Sequence, residues 1–159
     1  MDNPLSSAMR RFNQLLGETD RVYHEASVRL GVSDSEMNVL YALCGGEGRC
    51  PLRDICRQYG VSKQTVNSAV RKLEAAGMIY LESSGPRSKD VCLTEEGWAL
   101  ARRTAVPLME LESEIFAAWT PEEVEQYLRL TQRYLDAFQE RLNRFQKQKG
   151  PVTRTGPGG

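Results

Sequence analysis

The sequence predicts a mainly α fold with one small β-hairpin: a winged helix-turn-helix in the middle of the chain, flanked by long N-terminal and C-terminal helices. Three observations predict it. Two short amphipathic patterns meet at Gly60 with almost no chain between them, two β-prone runs follow at once, and heptad-like apolar repeats run through residues 5–30 and 121–147.

In residues 5–30, Phe12, Leu16, Thr19, Tyr23, Ala26 and Leu30 recur at alternating spacings of four and three, so one long helix is expected, ended by Gly31. Ser33 or Asp34 caps the next helix, whose inward stripe is Met37, Leu40, Tyr41 and Cys44. The run Gly45-Gly46-Glu47-Gly48 breaks it. Pro51 then takes the first position of a short helix with Leu52, Ile55, Cys56 and Tyr59 on one face, and Gly60 supplies the positive φ of a tight turn. Ser62 is the N-cap of a second helix that Gly77 closes, with Val66, Ala69, Val70 and Leu73 inward.

Beyond Gly77, residues 78–82 and 91–93 are short strands joined by a loop over 83–90. Thr94 caps the following helix, which Pro107 should kink or break between Arg103 and Pro107. Thr120-Pro121-Glu122-Glu123 is a capping box opening the last helix, whose seam is Val124, Leu128, Thr131, Leu135, Phe138, Leu142 and Phe145. Residues 148–159 lack periodicity and read as a flexible tail. Two seams this long have no matching apolar surface in a small winged domain. They imply a homodimer built from residues 5–32 and 98–147, with 33–97 as the winged domain.

Composition is that of an ordinary globular chain: 159 residues, 40% hydrophobic and 26% charged. The net charge is zero, but it is unevenly spread. Residues 49–89 carry eight Lys or Arg against three acids, and residues 90–126 carry nine acids against two Arg. A duplex attracts the first segment, so the neutral total does not exclude nucleic acid. The outward face of the second short helix suits such a partner. It offers Lys63, Arg71 and Lys72 for phosphates, Gln64, Thr65, Asn67 and Ser68 for base edges, and the N-cap Ser62 as a further DNA contact at its start. Arg87 and Lys89 in the hairpin loop suit a minor groove or the backbone.

These residues resemble a known family. Val61-Ser62-Lys63-Gln64-Thr65-Val66, then Leu73-Glu74-Ala75-Ala76-Gly77-Met78-Ile79, Arg87-Ser88-Lys89 and Leu93-Thr94-Glu95-Glu96-Gly97 are similar, in order and spacing, to the MarR family of winged helix-turn-helix regulators. The resemblance implies a homodimer joined by its first and last helices, with two recognition helices on one face of double-stranded DNA. It also implies a small-molecule effector, aromatic or anionic, and a repressor released from a palindromic operator. In the family an Asp two residues before the wing Arg orients it. Here Gly85 stands in that place before Arg87.

Two further readings stay open. Cys50 precedes Pro51 at a helix start beside Arg49 and Arg53, surroundings that lower a thiol pKa, so a redox-gated regulator is one alternative. A winged protein-interaction module without DNA is the other. Cys44, Cys50 and Cys56, spaced by six, do not form a metal-ligand pattern, and the single histidine, His24, lies far away, so no metal or other cofactor is expected. Trp98, Trp119, Tyr23 and Tyr41 are assigned to packing, the alternative being an effector cavity. No nucleophile elbow, phosphate loop or HExxH pair is present, which argues against an enzyme. No apolar run approaches the roughly 18–20 residues of a membrane span, and the first residues lack signal or transit character, so the cytoplasm is the expected compartment.

Overall fold

A computed structural model describes residues 4–149, with side chains over 7–145. Two compact units meet between Glu112 and Ser113.

In the first unit, α1 (Pro4–Leu30) ends where Gly31 adopts φ +78°. The helix α2 (Asp34–Gly45) opens on a reciprocal cap: the Ser33 hydroxyl accepts the Glu36 N–H at 3.2 Å and the Glu36 carboxylate accepts the Ser33 N–H at 2.8 Å. Two orphan donors are thereby satisfied. Met37 and Leu40 face inward as expected, while Tyr41 and Cys44 are half-buried and Val39 and Leu43 are fully buried beside them. α2 is therefore apolar around much of its circumference, as suits a helix covered by several neighbours.

A strand the periodicity did not show, β1 (Arg49–Pro51), comes next and is followed by α3 (Leu52–Gln58) and α4 (Lys63–Ala75). Pro51 is the N-cap of α3, not its first helical residue, because its own segment is held in the sheet. Three residues are too few to display alternation, so only pairing reveals the strand. β2 (Ile79–Gly85) and β3 (Ser88–Leu93) form the hairpin, and the sheet order is β1-β3-β2, antiparallel throughout. The hairpin is longer than the sequence suggests. Residues 83–85 and 88–90 are strand, leaving a turn of Pro86 and Arg87, with a register shift between Ser83 and Gly85.

The core gathers Leu40, Leu43, Ile55, Val66, Val70 and Leu73 with Ile79 and Val91 from the sheet. The helix α5 (Glu95–Arg103) is fixed at its start by Thr94, whose hydroxyl accepts the Gly97 N–H at 3.0 Å and donates to the Gly77 carbonyl at 2.7 Å. A break at Thr104 separates α5 from α6 (Ala105–Ala117), within the expected interval. Pro107 sits in the first turn of α6, where its missing N–H removes no helix bond. Thr104 is buried, and its hydroxyl donates to the Leu100 carbonyl at 2.7 Å.

In the second unit, Phe116, Trp119 and Tyr127 pack edge-on or tilted, with centroids 5.4–6.2 Å apart. Thr120 and Glu123 cap α7 (Pro121–Lys149) reciprocally, at 2.9 and 3.2 Å. Along α7, Leu128, Leu135, Phe138 and Leu142 are 45–57% exposed. The tail expected after Lys149 lies outside the described residues.

Candidate nucleic-acid interface

α3 and α4 are joined by four residues, Tyr59 to Ser62, and Gly60 turns the chain at φ +59°. The Ser62 hydroxyl accepts the Thr65 N–H at 3.1 Å and lies 2.8 Å from the Thr65 hydroxyl, so α4 begins at a defined place and angle. With Val66, Ala69, Val70 and Leu73 buried, the opposite face is left outward. Lys63, Gln64, Thr65, Ser68, Arg71 and Lys72 are exposed there, together with the cap residue Ser62, and Asn67 is half-buried at the edge of that face.

Lys72 has a second engagement. Its ammonium lies 3.0 Å from the Glu36 carboxylate, the same group that caps α2. Burial pushes the Glu36 carboxyl up, but the Ser33 N–H and Lys72 outweigh it and hold it below its ordinary value. This pair ties α2 to α4 across the first unit. Arg49 likewise belongs to the scaffold: its guanidinium binds Asp90 and Glu82, each at 2.7 Å, and so fastens β1 to the base of the hairpin. Arg49 in turn holds the Asp90 carboxyl below the ordinary range.

Apart from Arg71, the remaining cations of residues 49–89 converge. A cleft of about 800 Å³ is lined by Arg53 and Arg57 of α3, Lys63 at the start of α4, and Arg87 and Lys89 of the wing. Lys89 is not at the tip; it is an exposed strand residue opposite Ser83, and Arg87 alone of the two sits in the turn. Gln64, Asn67, Ser68, Arg71 and Lys72 do not line the cleft but follow one another along α4 beyond it. Arg53 and Arg57 were absent from the residues singled out by sequence. Their signal was available, since they are the outward cations of α3, the helix preceding the turn. At the wing, a Cβ added to Gly85 would lie 2.9 Å from the Ser88 hydroxyl, the movable end of a side chain.

Cys50 does not have the surroundings that its neighbours in sequence suggest. It is buried in β1 opposite Val91, and Arg49 is turned to Asp90 and Glu82. Burial, then Asp54 and Asp90, push its thiol up rather than down. Burial also raises the Cys44 thiol, and Cys56, on the same face of α3 as Leu52 and Ile55, is half-buried. All four cysteines are free thiols.

The aromatic residues divide. Trp98 packs on Gly48, where an added Cβ would come within 2.6 Å of the indole, and Trp119 packs in the second unit. Tyr23 and Tyr41, by contrast, line a cavity of about 540 Å³ in the first unit, with Tyr59 and Glu112. Among the described residues no group of His, Cys, Asp and Glu is placed to hold a metal ion, and no helix is long and apolar enough to cross a membrane.

A helix-turn-helix with a two-stranded wing and a basic cleft between them defines a winged helix-turn-helix protein. Residues 30–88 match the MarR family, and the chain carries the MarR winged-helix fold. NMB1585, a MarR family regulator from Neisseria meningitidis, superposes with TM-score 0.76 at 20% identity, over 91% of this chain and all of its own. MepR from S. aureus, in a complex with DNA, gives TM-score 0.62 at 20% identity, over 81% of this chain and 96% of its own. BpsR from Bordetella bronchiseptica, whose DNA binding is regulated by 6-hydroxynicotinic acid, gives 0.56 at 23% identity, over 78% and 93%. No curated protein sequence matches the chain.

Proposed function

We propose that the chain is a sequence-specific DNA-binding transcriptional regulator: a cytoplasmic homodimer that represses from a palindromic operator and is released by a small-molecule effector. The observation that carries this reading is the basic cleft, where Arg53, Arg57, Lys63, Arg87 and Lys89 from three elements face one space beside the polar face of α4. α4 enters the major groove with Gln64, Thr65, Asn67 and Ser68 toward base edges and Ser62, Lys63 and Arg71 toward the rim and phosphates, while Lys72 stays paired with Glu36 at the edge of that face. Arg87 and Lys89 follow the backbone, with Arg53 and Arg57 adding phosphate contacts. MepR, of the same fold and solved with DNA, supports this docking, and BpsR supports effector control.

The dimer rests on exposed apolar surface. Leu15 and Leu16 on α1, and Leu128, Leu135, Phe138 and Leu142 on α7, lie 45–57% exposed in the single chain, and a second copy provides matching seams of the same spacing. In this reading 5–32 and 98–147 dimerise and 33–97 reads DNA. A C2 pair places two α4 helices for two half-sites.

The test is selection of bound sequences from random duplex DNA, followed by titration of the winner. A palindromic consensus is expected. If Lys63→Ala, Arg71→Ala and Arg87→Ala combined leave binding unchanged, the winged domain is not the reader and a protein-interaction role replaces it.

A further inference from the structure

The cavity beside α3 has a chemical character of its own. Its lining includes the Glu112 carboxylate, which accepts a hydrogen bond from the Tyr23 hydroxyl on one oxygen and from the Tyr41 hydroxyl on the other. The Tyr41 ring meets the Tyr59 ring edge-on at 85°, centroids 6.1 Å apart, so the two rings form a corner. The Tyr59 hydroxyl is buried and has no hydrogen-bond partner. Asp20, the His24–Asp34 pair, 2.8 Å apart, and the neutral Ser27, Asn38 and Gln58 make up the rest of the polar lining, and among the described residues no lysine or arginine lines the cavity.

The balance of charge in the lining disfavours an anion. Three carboxylates line the space, with one histidine as the only lining residue able to carry positive charge, and that histidine is already on Asp34. The tyrosines show the same field. Burial first, and then the Glu112 carboxylate, push the Tyr41 and Tyr59 hydroxyls above their ordinary value of 10, and the Glu112 part of that rise is the negative field felt at both hydroxyls. A cation meets the opposite situation: a carboxylate with lone pairs to spare after two bonds, and aromatic rings whose faces attract positive charge. The volume, about 540 Å³, suits an organic molecule rather than a bare ion.

We propose that this cavity takes a monovalent organic cation, an aromatic or alkylated ammonium, with Glu112 as counter-ion and Tyr41 and Tyr59 as walls, and that this cation is the effector of the regulator. The second clause rests on the reading of the chain as a DNA-binding regulator; the first does not. The route to DNA is short. Tyr59 is the C-terminal cap of α3, and Gly60, Val61 and Ser62 lead directly into α4. A ligand held against Tyr59 binds differently to conformations that differ at this turn, which is what an effector needs in order to shift a population.

The experiment uses the full chain and two probes matched in shape and opposite in charge, tetraphenylphosphonium and tetraphenylborate, in calorimetric titration. Tetraphenylphosphonium should bind at least tenfold more tightly than tetraphenylborate, and Glu112→Gln should weaken it at least tenfold. Should Glu112→Gln lose native circular dichroism, Asp20→Asn on the exposed rim carries the test, with a two- to threefold loss expected. Equal or tighter tetraphenylborate binding, or unchanged tetraphenylphosphonium affinity in a folded variant, overturns the cation site. A second arm follows a labelled selected duplex by fluorescence anisotropy. Its release by tetraphenylphosphonium supports the effector role. Charge-selective binding that leaves the DNA complex intact overturns that role and retains the cation site. Release by tetraphenylborate alone overturns the cation site and retains the regulator.

Discussion

At the scale of single residues, the interface is divided between side chains that hold the scaffold and side chains that are free to meet a partner. Arg49 and Lys72 look alike in sequence to Arg53 and Arg71, yet each is ion-paired to a poorly exposed carboxylate. Arg53 pairs only with its partly exposed neighbour Asp54, at 3.6 Å, and it and the other exposed cations are expected to act through phosphate, the amides through bases. Lys89→Ala should therefore weaken all duplexes alike and lower the salt slope by about one unit, whereas Gln64→Ala should relax preference at one operator position by roughly 1–3 kcal/mol. Anisotropy titrations at several salt concentrations separate the two, and identical losses on every sequence for both variants would refute the division. Gly97 shows the same economy of space. A Cβ there would stand 1.8 Å from the Met78 carbonyl oxygen, a backbone atom held by its bond from the Thr94 N–H at 3.0 Å. Gly97→Ala should cost about 1–3 kcal/mol and lower the melting temperature by several degrees, as read by thermal denaturation.

At the scale of elements, α2 and α4 are joined through Glu36, which caps one helix and pairs with a cation on the other. Its carboxyl is held below the ordinary 4.5, so the folded state binds its proton less readily than the unfolded chain does. The stability this contributes is present above pH 4.5 and is lost as pH falls through the folded value. Glu36→Gln should flatten the stability profile in that acid window while costing about 1 kcal/mol at neutral pH. Urea denaturation across pH 3–7 measures both, and parallel profiles for the two proteins would sink the assignment. In the wing, Gly85→Asp asks only that the Ser88 hydroxyl turn away. Placed two residues before Arg87, the new carboxylate is expected to orient the guanidinium and tighten DNA binding, which the same titrations detect.

At the scale of the whole molecule, the second unit has an apolar face far larger than its own cluster of Phe116, Trp119 and Tyr127 can cover. If that face is the dimer seam, Leu135→Lys combined with Leu142→Lys should give monomers or insoluble chains, since each ammonium would be buried without a partner. Sedimentation of the unaltered chain at micromolar concentration should show a dimer. A monomer there would overturn the assembly, and with it the pairing of half-sites.

Periodicity and caps carried most of the local structure. Ser33, Ser62, Thr94 and the Thr120 capping box mark helix starts because each acts on backbone donors a few residues away, Gly31 and Gly60 mark helix ends because each adopts a positive φ, and the inward stripe of α4 follows from 3.6-residue spacing alone. Partners distant in sequence decided the rest. β1 is a strand because β3 pairs with it, and Lys89 belongs to a strand because Ser83 lies opposite. Cys50 is the clearest case. Its neighbours in sequence are cations, but burial together with Asp54 and Asp90 sets its chemistry, since electrostatics depends on distance and solvent access rather than on order along the chain. The cavity at Glu112 is a product of tertiary structure for the same reason: its tyrosines come from α1, α2 and the end of α3, and its carboxylate from α6.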